Sequence, residues 1–129
     1  APAIRKDLNI PDVVQQGARK TLSAALTAIE QSALAGHGYL CGDSVTLADL
    51  AAYVEIGQLQ PQFTNVFDFS PYPNVQRWLT RMQQVAGHDA VHVVLAELGD
   101  ISQAAPDMDQ IRAANIKALQ ALKLELSRL

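Results

Sequence analysis

The segment GDSVTLADLAAYV, residues 42–54, constrains this chain more than any other. Thr46 and Asp49 stand three places apart at the head of an apolar run. That is the T-x-x-D spacing of a helix capping box, with Asp where Glu or Gln is commoner. In such a box the Thr46 hydroxyl accepts from the backbone N–H of Asp49, and the Asp49 carboxylate accepts from the N–H of Thr46. Two donors that a first helical turn leaves open are satisfied, and the negative charge sits at the positive end of the dipole. Val45, just before the cap, and Leu50, four residues into the helix, are spaced for a hydrophobic staple. The spacing accounts for Asp49 without chemistry, so a structural role is expected for it rather than acid catalysis or metal ligation.

The helix that follows spans about residues 47–59. Leu47, Leu50, Ala51, Tyr53, Val54 and Ile56 cover nearly every side of it, and a helix apolar all round belongs in the middle of a bundle. The rest of the chain also reads as helices, with no convincing strand. Ala18, Leu22, Ala25 and Ile29 fall at spacings of four, three and four, which predicts one face of a helix over residues 12–34. Pro11 before it and Gly36 after it are the usual start and stop residues. Residues 60–73 form a connector rich in Pro and aromatics, with Phe63, Phe67 and Phe69 expected to pin it to the core. Pro73 suits the first position of a third helix reaching about residue 86, whose stripe is Val75, Trp78, Leu79, Met82 and Val85. A short helix over residues 89–98 ends at Gly99. DISQAAPD is a linker, and a last helix runs from about residue 108 to the C-terminus with Asp107 as its N-cap and Gln110 three places on. Asp107 and Asp109 lie near its positive end and Lys117, Lys123 and Arg128 towards its negative end, as the dipole favours. The expected fold class is all-α, an orthogonal helical bundle.

A length of 129 residues fits a single core. The formal net charge of −3 leaves no excess of Lys or Arg to neutralise phosphates, so neither nucleic acid nor an anionic membrane surface is expected as the main partner. One cysteine, Cys41, permits no internal disulfide and suits a reducing compartment; the expected location is cytoplasmic. No apolar run reaches the ~18 residues of a membrane span. The first twelve residues lack the apolar core of a secretory signal.

YLCGDSVTLADLAAYVEI, followed by YPNVQRWLTRM, resembles the C-terminal helical domain of glutathione transferases, of theta-like and bacterial type. The central helix of that domain starts with this capping box and staple after a similar lead-in, and a later helix starts with a similar Tyr-Pro-Asn-Val segment and Trp. The resemblance covers about residues 12–98. It divides the chain into a transferase-like helical domain over residues 1–100 and an added linker and amphipathic helix over residues 101–129. It implies that the chain is the electrophile-binding half of a glutathione transferase, with glutathione as co-substrate of the full-length parent. The thioredoxin-like half, which holds glutathione and supplies the activating Ser, Tyr or Cys, has no counterpart here, so that half is the expected partner and this chain alone is expected to be inactive. Self-association is expected as the other way to cover the face where that half would pack. The same helical domain occurs in non-catalytic proteins, among them translation elongation factor 1 gamma and aminoacyl-tRNA synthetase assemblies, which leaves a protein-interaction module as the alternative.

Two features imitate chemistry. HDAVH, residues 88–92, resembles a zinc signature, but Asp89 is shorter than the Glu such sites use as base, no third ligand is evident, and His88 follows a glycine at the edge of a helix. Cys41 lies between Leu40 and Gly42 with no basic neighbour to activate it, so a packed thiol is expected. Trp78 and the Phe residues are expected in the core. The sequence thus assigns no catalytic, cofactor-binding or metal-ligating residue to this chain, and no cofactor.

Overall fold

The computed structural model describes residues 9–129. Among them there is no strand, only an isolated antiparallel bridge between Tyr39 and Gly42. The helices are α1 (Asp12–Ala28), α2 (Leu47–Ile56), α3 (Pro73–Met82), α4 (His88–Val91), α5 (Val93–Leu98) and α6 (Met108–Leu126). A π-helical turn, Ile29–Ala33, continues α1, and a 3₁₀ turn, Gly57–Leu59, continues α2. The all-α class is as expected.

The most buried helix is α3, not α2. Val75, Trp78, Leu79 and Met82, at i, i+3, i+4 and i+7, are each at most 2% exposed and line the centre of the core with Leu26, Leu34, Tyr53 and Phe69. The expectation that α2 is enclosed on every side is corrected. Only Asp49 and Tyr53 are buried along it, while Leu47 and Val54 are 79% and 61% exposed. One side of α2 is covered by the bundle and the opposite side is left open. The α1 face shifts similarly. Leu26 is fully buried with Leu22 and Ile29 packed beside it, but Ala18 and Ala25 are exposed, as are Val13 and Val14. The core reaches only the C-terminal half of α1.

The π turn has a consequence that the pattern of apolar residues did not indicate. It presents the Glu30 carboxylate to the first turn of α3, where the N–H groups of Asn74 and Val75 donate to Oε1 and Oε2 at 3.0 and 2.9 Å. The Asn74 side-chain amide donates back to the Glu30 carbonyl at 3.2 Å. Tyr72, at the N-cap of α3, makes no side-chain cap of its own. Glu30 therefore caps a helix 44 residues downstream and brings its charge to the positive end of the dipole.

Phe63 and Phe69 are buried, and Phe67 packs edge-on to Phe69 at 4.9 Å, so the connector is pinned as its aromatic residues suggested. Gly57 is required where it stands: a Cβ there would lie 2.9 Å from the Tyr53 ring. Helix α3 ends four residues earlier than expected, and the chain turns through Gly87 at a φ of 81°. The single helix expected over residues 89–98 is broken at His92 (φ −103°, ψ 9°). There the backbone N–H and the Nδ1–H of His92 both donate to the His88 carbonyl, at 3.2 and 2.7 Å, which draws the residue out of regular helical geometry. His88 is the first residue of α4, inside the helix rather than outside it. Helix α6 lies against α4 and α5 with Ala114 buried and Ile111, Ala118, Ala121 and Leu122 half-buried. Its own capping box is complete: Asp107 Oδ1 accepts from the Gln110 N–H at 2.8 Å, and Gln110 Oε1 accepts from the Asp107 N–H at 2.9 Å.

Removing the carboxylate from Glu30 orphans two amides of α3, so Glu30→Ala is expected to cost about 1–2 kcal/mol. Glu30→Gln, which retains one acceptor, is expected to recover part of the loss. Urea melts followed by the fluorescence of Trp78, the single tryptophan, check this; unchanged midpoints would show that the cap contributes nothing.

Candidate functional site

Asp49 is completely buried, with 0% of its surface exposed. Its Oδ2 accepts from the Thr46 N–H at 2.9 Å and from the Thr46 hydroxyl at 2.7 Å. The carboxylate takes the Thr46 amide as the T-x-x-D spacing predicts, and the Thr46 hydroxyl donates to the same oxygen. Its Oδ1 reaches further, accepting from the Leu40 N–H at 2.8 Å and from the Trp78 indole N–H at 2.9 Å. One carboxylate thus joins the lead-in turn, the start of α2 and the middle of α3. Burial pushes its pKa up, but the hydrogen bonds from Leu40, Thr46 and Trp78 outweigh this and hold it below the ordinary 3.8. With every approach occupied by a protein donor, the carboxylate presents nothing to a substrate. Val45 and Leu50, spaced for the staple, keep 42% and 45% of their surface exposed because they lie on the open side of α2.

A second polar cluster lies further along α2. The Tyr53 hydroxyl is 2.8 Å from His88 Nε2, and His88 Nδ1 is 2.8 Å from Asp89 Oδ1. Gln60 Nε2 donates to the Tyr53 oxygen at 3.3 Å. A carboxylate accepts only, so Nδ1 of His88 carries a proton and donates to Asp89. The chain Asp89–His88–Tyr53 has the order of a nucleophile relay. However, Tyr53 is 3% exposed and its hydroxyl is engaged from both sides, so the relay holds the core together and presents no nucleophile. Burial pushes the Tyr53 hydroxyl above its ordinary 10.0, the bond from Gln60 opposes this, and the charge of Asp89 adds to the rise.

His92 stacks on His88 with ring centroids 4.2 Å apart and planes 19° from parallel, and its other face meets Phe63 at 5.7 Å. The lone pairs of stacked imidazoles run side by side in separate planes and do not converge on one point. Both Nδ1 atoms and the Nε2 of His88 are also committed. Among the described residues no group of three or more His, Cys, Asp or Glu side chains could hold a metal ion. Burial pulls the pKa of His92 below 6.5, and the neighbouring His88 adds to the fall; the bond to the His88 carbonyl and the charge of Asp89 oppose it.

The remaining feature is a surface. Leu47, Leu50 and Val54, at i, i+3 and i+7, form an exposed apolar face on α2, and Val45, just before its N-cap, is also exposed. Cys41 is exposed, contrary to the packed thiol expected from its apolar neighbour. The tight Tyr39–Gly42 turn, closed by N–H to carbonyl bonds of 2.9 and 3.3 Å, projects it outward. No described helix is long and apolar enough to cross a membrane.

Residues 12–81 match the family described as glutathione S-transferase, C-terminal domain, and the chain belongs to that family. The matched region takes in α1, the Glu30 cap, the Asp49 hub and α3 as far as Arg81. No solved structure matches the chain.

Sequence spacing pointed to Thr46 for Asp49 but not to Leu40 or Trp78, and it gave no sign of the Tyr53–His88 bond. Asp49→Ala orphans four donors at once. At roughly 1–3 kcal/mol for a buried unsatisfied group, partly relieved by relaxation, the expected cost is about 3–5 kcal/mol. Asp49→Asn should lie between. Trp78 fluorescence melts check both; a loss under 1 kcal/mol for the alanine variant would contradict the hub.

The two shifted groups place acid sensitivity in separate windows. A carboxyl whose folded pKa is depressed contributes stability that is complete above its unfolded value and is lost as pH falls through the folded one; for Asp49 this begins near 3.8. His92, lowered from 6.5, is favoured neutral by the fold, so its contribution is complete above 6.5 and declines below it. Stability should therefore fall first on acidification from pH 7 to 5. His92→Phe, which retains the stack on Phe63, should flatten that first decline and leave the one below pH 4. A variant with the same profile as the parent chain would refute the assignment.

Proposed function

We propose that the chain is the electrophile-binding half of a glutathione transferase, with glutathione as co-substrate of a full-length parent that also carries a thioredoxin-like domain. The observation that carries this reading is the exposed apolar face Leu47–Leu50–Val54, on the one helix whose N-terminus is locked from beneath by a buried carboxylate. A rigid helix offering apolar side chains suits an uncharged electrophile on one side and a packed domain on the other. Members of theta-like and bacterial type combine such a helix with a thioredoxin-like half that positions and ionises the sulfur. Neither the hub nor the Tyr53–His88 relay offers this chain that service. An unassisted thiol is only a few per cent thiolate at neutral pH, so the helical chain alone is inactive in this reading. An interaction module of a translation or synthetase assembly is the second reading, favoured by the exposed Leu119 and Leu126 of α6. In either case a cytoplasmic setting, no cofactor in this chain, and neither nucleic acid nor membrane as partner are proposed.

An inter-domain face of ordinary size is on the order of 600–1,500 Å², more than most monomers leave uncovered. Without a partner domain the chain is expected to self-associate at micromolar concentration through the α2 face, and Leu50→Glu to shift it to monomer in light scattering. Alone it is expected to conjugate 1-chloro-2,4-dinitrobenzene no faster than buffer and to bind glutathione no tighter than millimolar. Amide shifts on titration with the same electrophile are expected to centre on residues 47–54. Turnover above the buffer rate would overturn the inactive-half reading, and shifts absent from α2 would favour the interaction module.

A further inference from the structure

A cleft of about 280 Å³ lies between the turn that ends the π helix and the outer face of α3, away from both the Asp49 hub and the apolar face of α2. His37 and Gly38 form one wall, and Asn74, Arg77 and Arg81 form the other. Arg77 and Arg81 are four residues apart, so both guanidinium groups project from the same side of α3. Each is held by a bond of its own. Arg81 Nη1 donates to the Gly38 carbonyl at 3.2 Å, across the cleft. Arg77 Nη2 donates to Asn74 Oδ1, and Asn74 is fixed in turn by its bond to Glu30. Orientation of a flexible cation before a ligand arrives reduces the entropy lost on binding.

The residues that line the cleft include two arginines and no carboxylate, in an otherwise acidic chain. Of thirteen Asp and Glu residues, none falls within residues 31–42 or 69–88, the segments that supply both walls. Glu30 is engaged with the amides of α3, and Asp43, 91% exposed, lies 3.8 Å from His37 Nδ1 at the rim, so the two guanidinium groups are the charges without a carboxylate beside them in the lining. Two guanidinium groups and an imidazole around a small polar cavity match the geometry of an oxyanion, which Arg binds through paired N–H groups. The cations' existing bonds use one donor each and leave the rest of both forks for a ligand.

We infer that this cleft is a binding site for a small dianion, a phosphate monoester or a dicarboxylate, held by Arg77 and Arg81 with His37 at its rim. The site is independent of the transferase reading, because none of its residues belongs to the apolar face of α2. The test is a titration of the ¹⁵N-labelled full chain with sodium phosphate and, separately, sodium succinate, each against sodium chloride at equal ionic strength. Saturable shifts at residues 36–38 and 74–81 are expected with at least one dianion, together with at least tenfold weaker binding in both Arg77→Gln and Arg81→Gln. Arg19→Gln, on the exposed part of α1, is expected to bind as the parent does. Saturation by phosphate alone assigns a phosphate monoester, and saturation by succinate alone a dicarboxylate. Shifts no larger than those given by chloride, or unchanged affinity in the two arginine variants with melting temperatures intact, would overturn the proposal.

Discussion

The bundle is organised around one buried carboxylate. Asp49 is closed off from solvent, and its charge is balanced by four donors from three separate stretches of chain. A buried ion is expensive unless its lone pairs are matched, and leaving it unmatched is worse than never burying it. This sets the register of α2 against α3: a slip of one turn would separate the carboxylate from the Trp78 indole and leave both without partners. The apolar packing of Trp78 against Tyr53, nearly perpendicular at 6.0 Å, is then fixed by a polar constraint. Hydrophobic contact is non-directional and could not fix it alone.

Long-range polar bonds do similar work elsewhere. Glu30 anchors the end of α1 to the start of α3, and the Tyr53–His88 bond attaches α4 to α2. Each joins elements that the apolar residues bring close but do not align. The consequence for function is a scaffold that is stiff beneath α2 and open above it. Side chains that resemble catalytic groups, namely Asp49, Tyr53 and His88, are consumed in holding it together. The two surfaces proposed above as binding sites, an apolar face on α2 and a cationic cleft on α3, call for different ligands.

The chain belongs to the transferase C-terminal family, and the region that matches it contains both the locked start of α2 and its exposed apolar residues. In the function proposed above, that face is the surface a second domain would cover. The same reasoning explains why α2 resembles a core helix in sequence yet is half exposed in the structure. Its apolar residues outnumber the neighbours that the bundle places around it.

The sequence by itself determined the all-α class, the positions of most helices and the local pairing of Asp49 with Thr46 and of Asp107 with Gln110, because these depend on residues three or four apart whose geometry is local. The spacing of Val75, Trp78, Leu79 and Met82 likewise marked out the face of α3 that proved buried. Only the tertiary structure decided what those elements face. That Asp49 reaches Trp78, that Glu30 caps α3, that His92 breaks a helix by turning onto the His88 carbonyl, and that Cys41 points outward all depend on the placement of distant or tightly turned backbone. Periodicity reports which side of a helix is apolar. It does not report whether a neighbour is there to cover it, since burial belongs to the assembled chain and not to any segment of it.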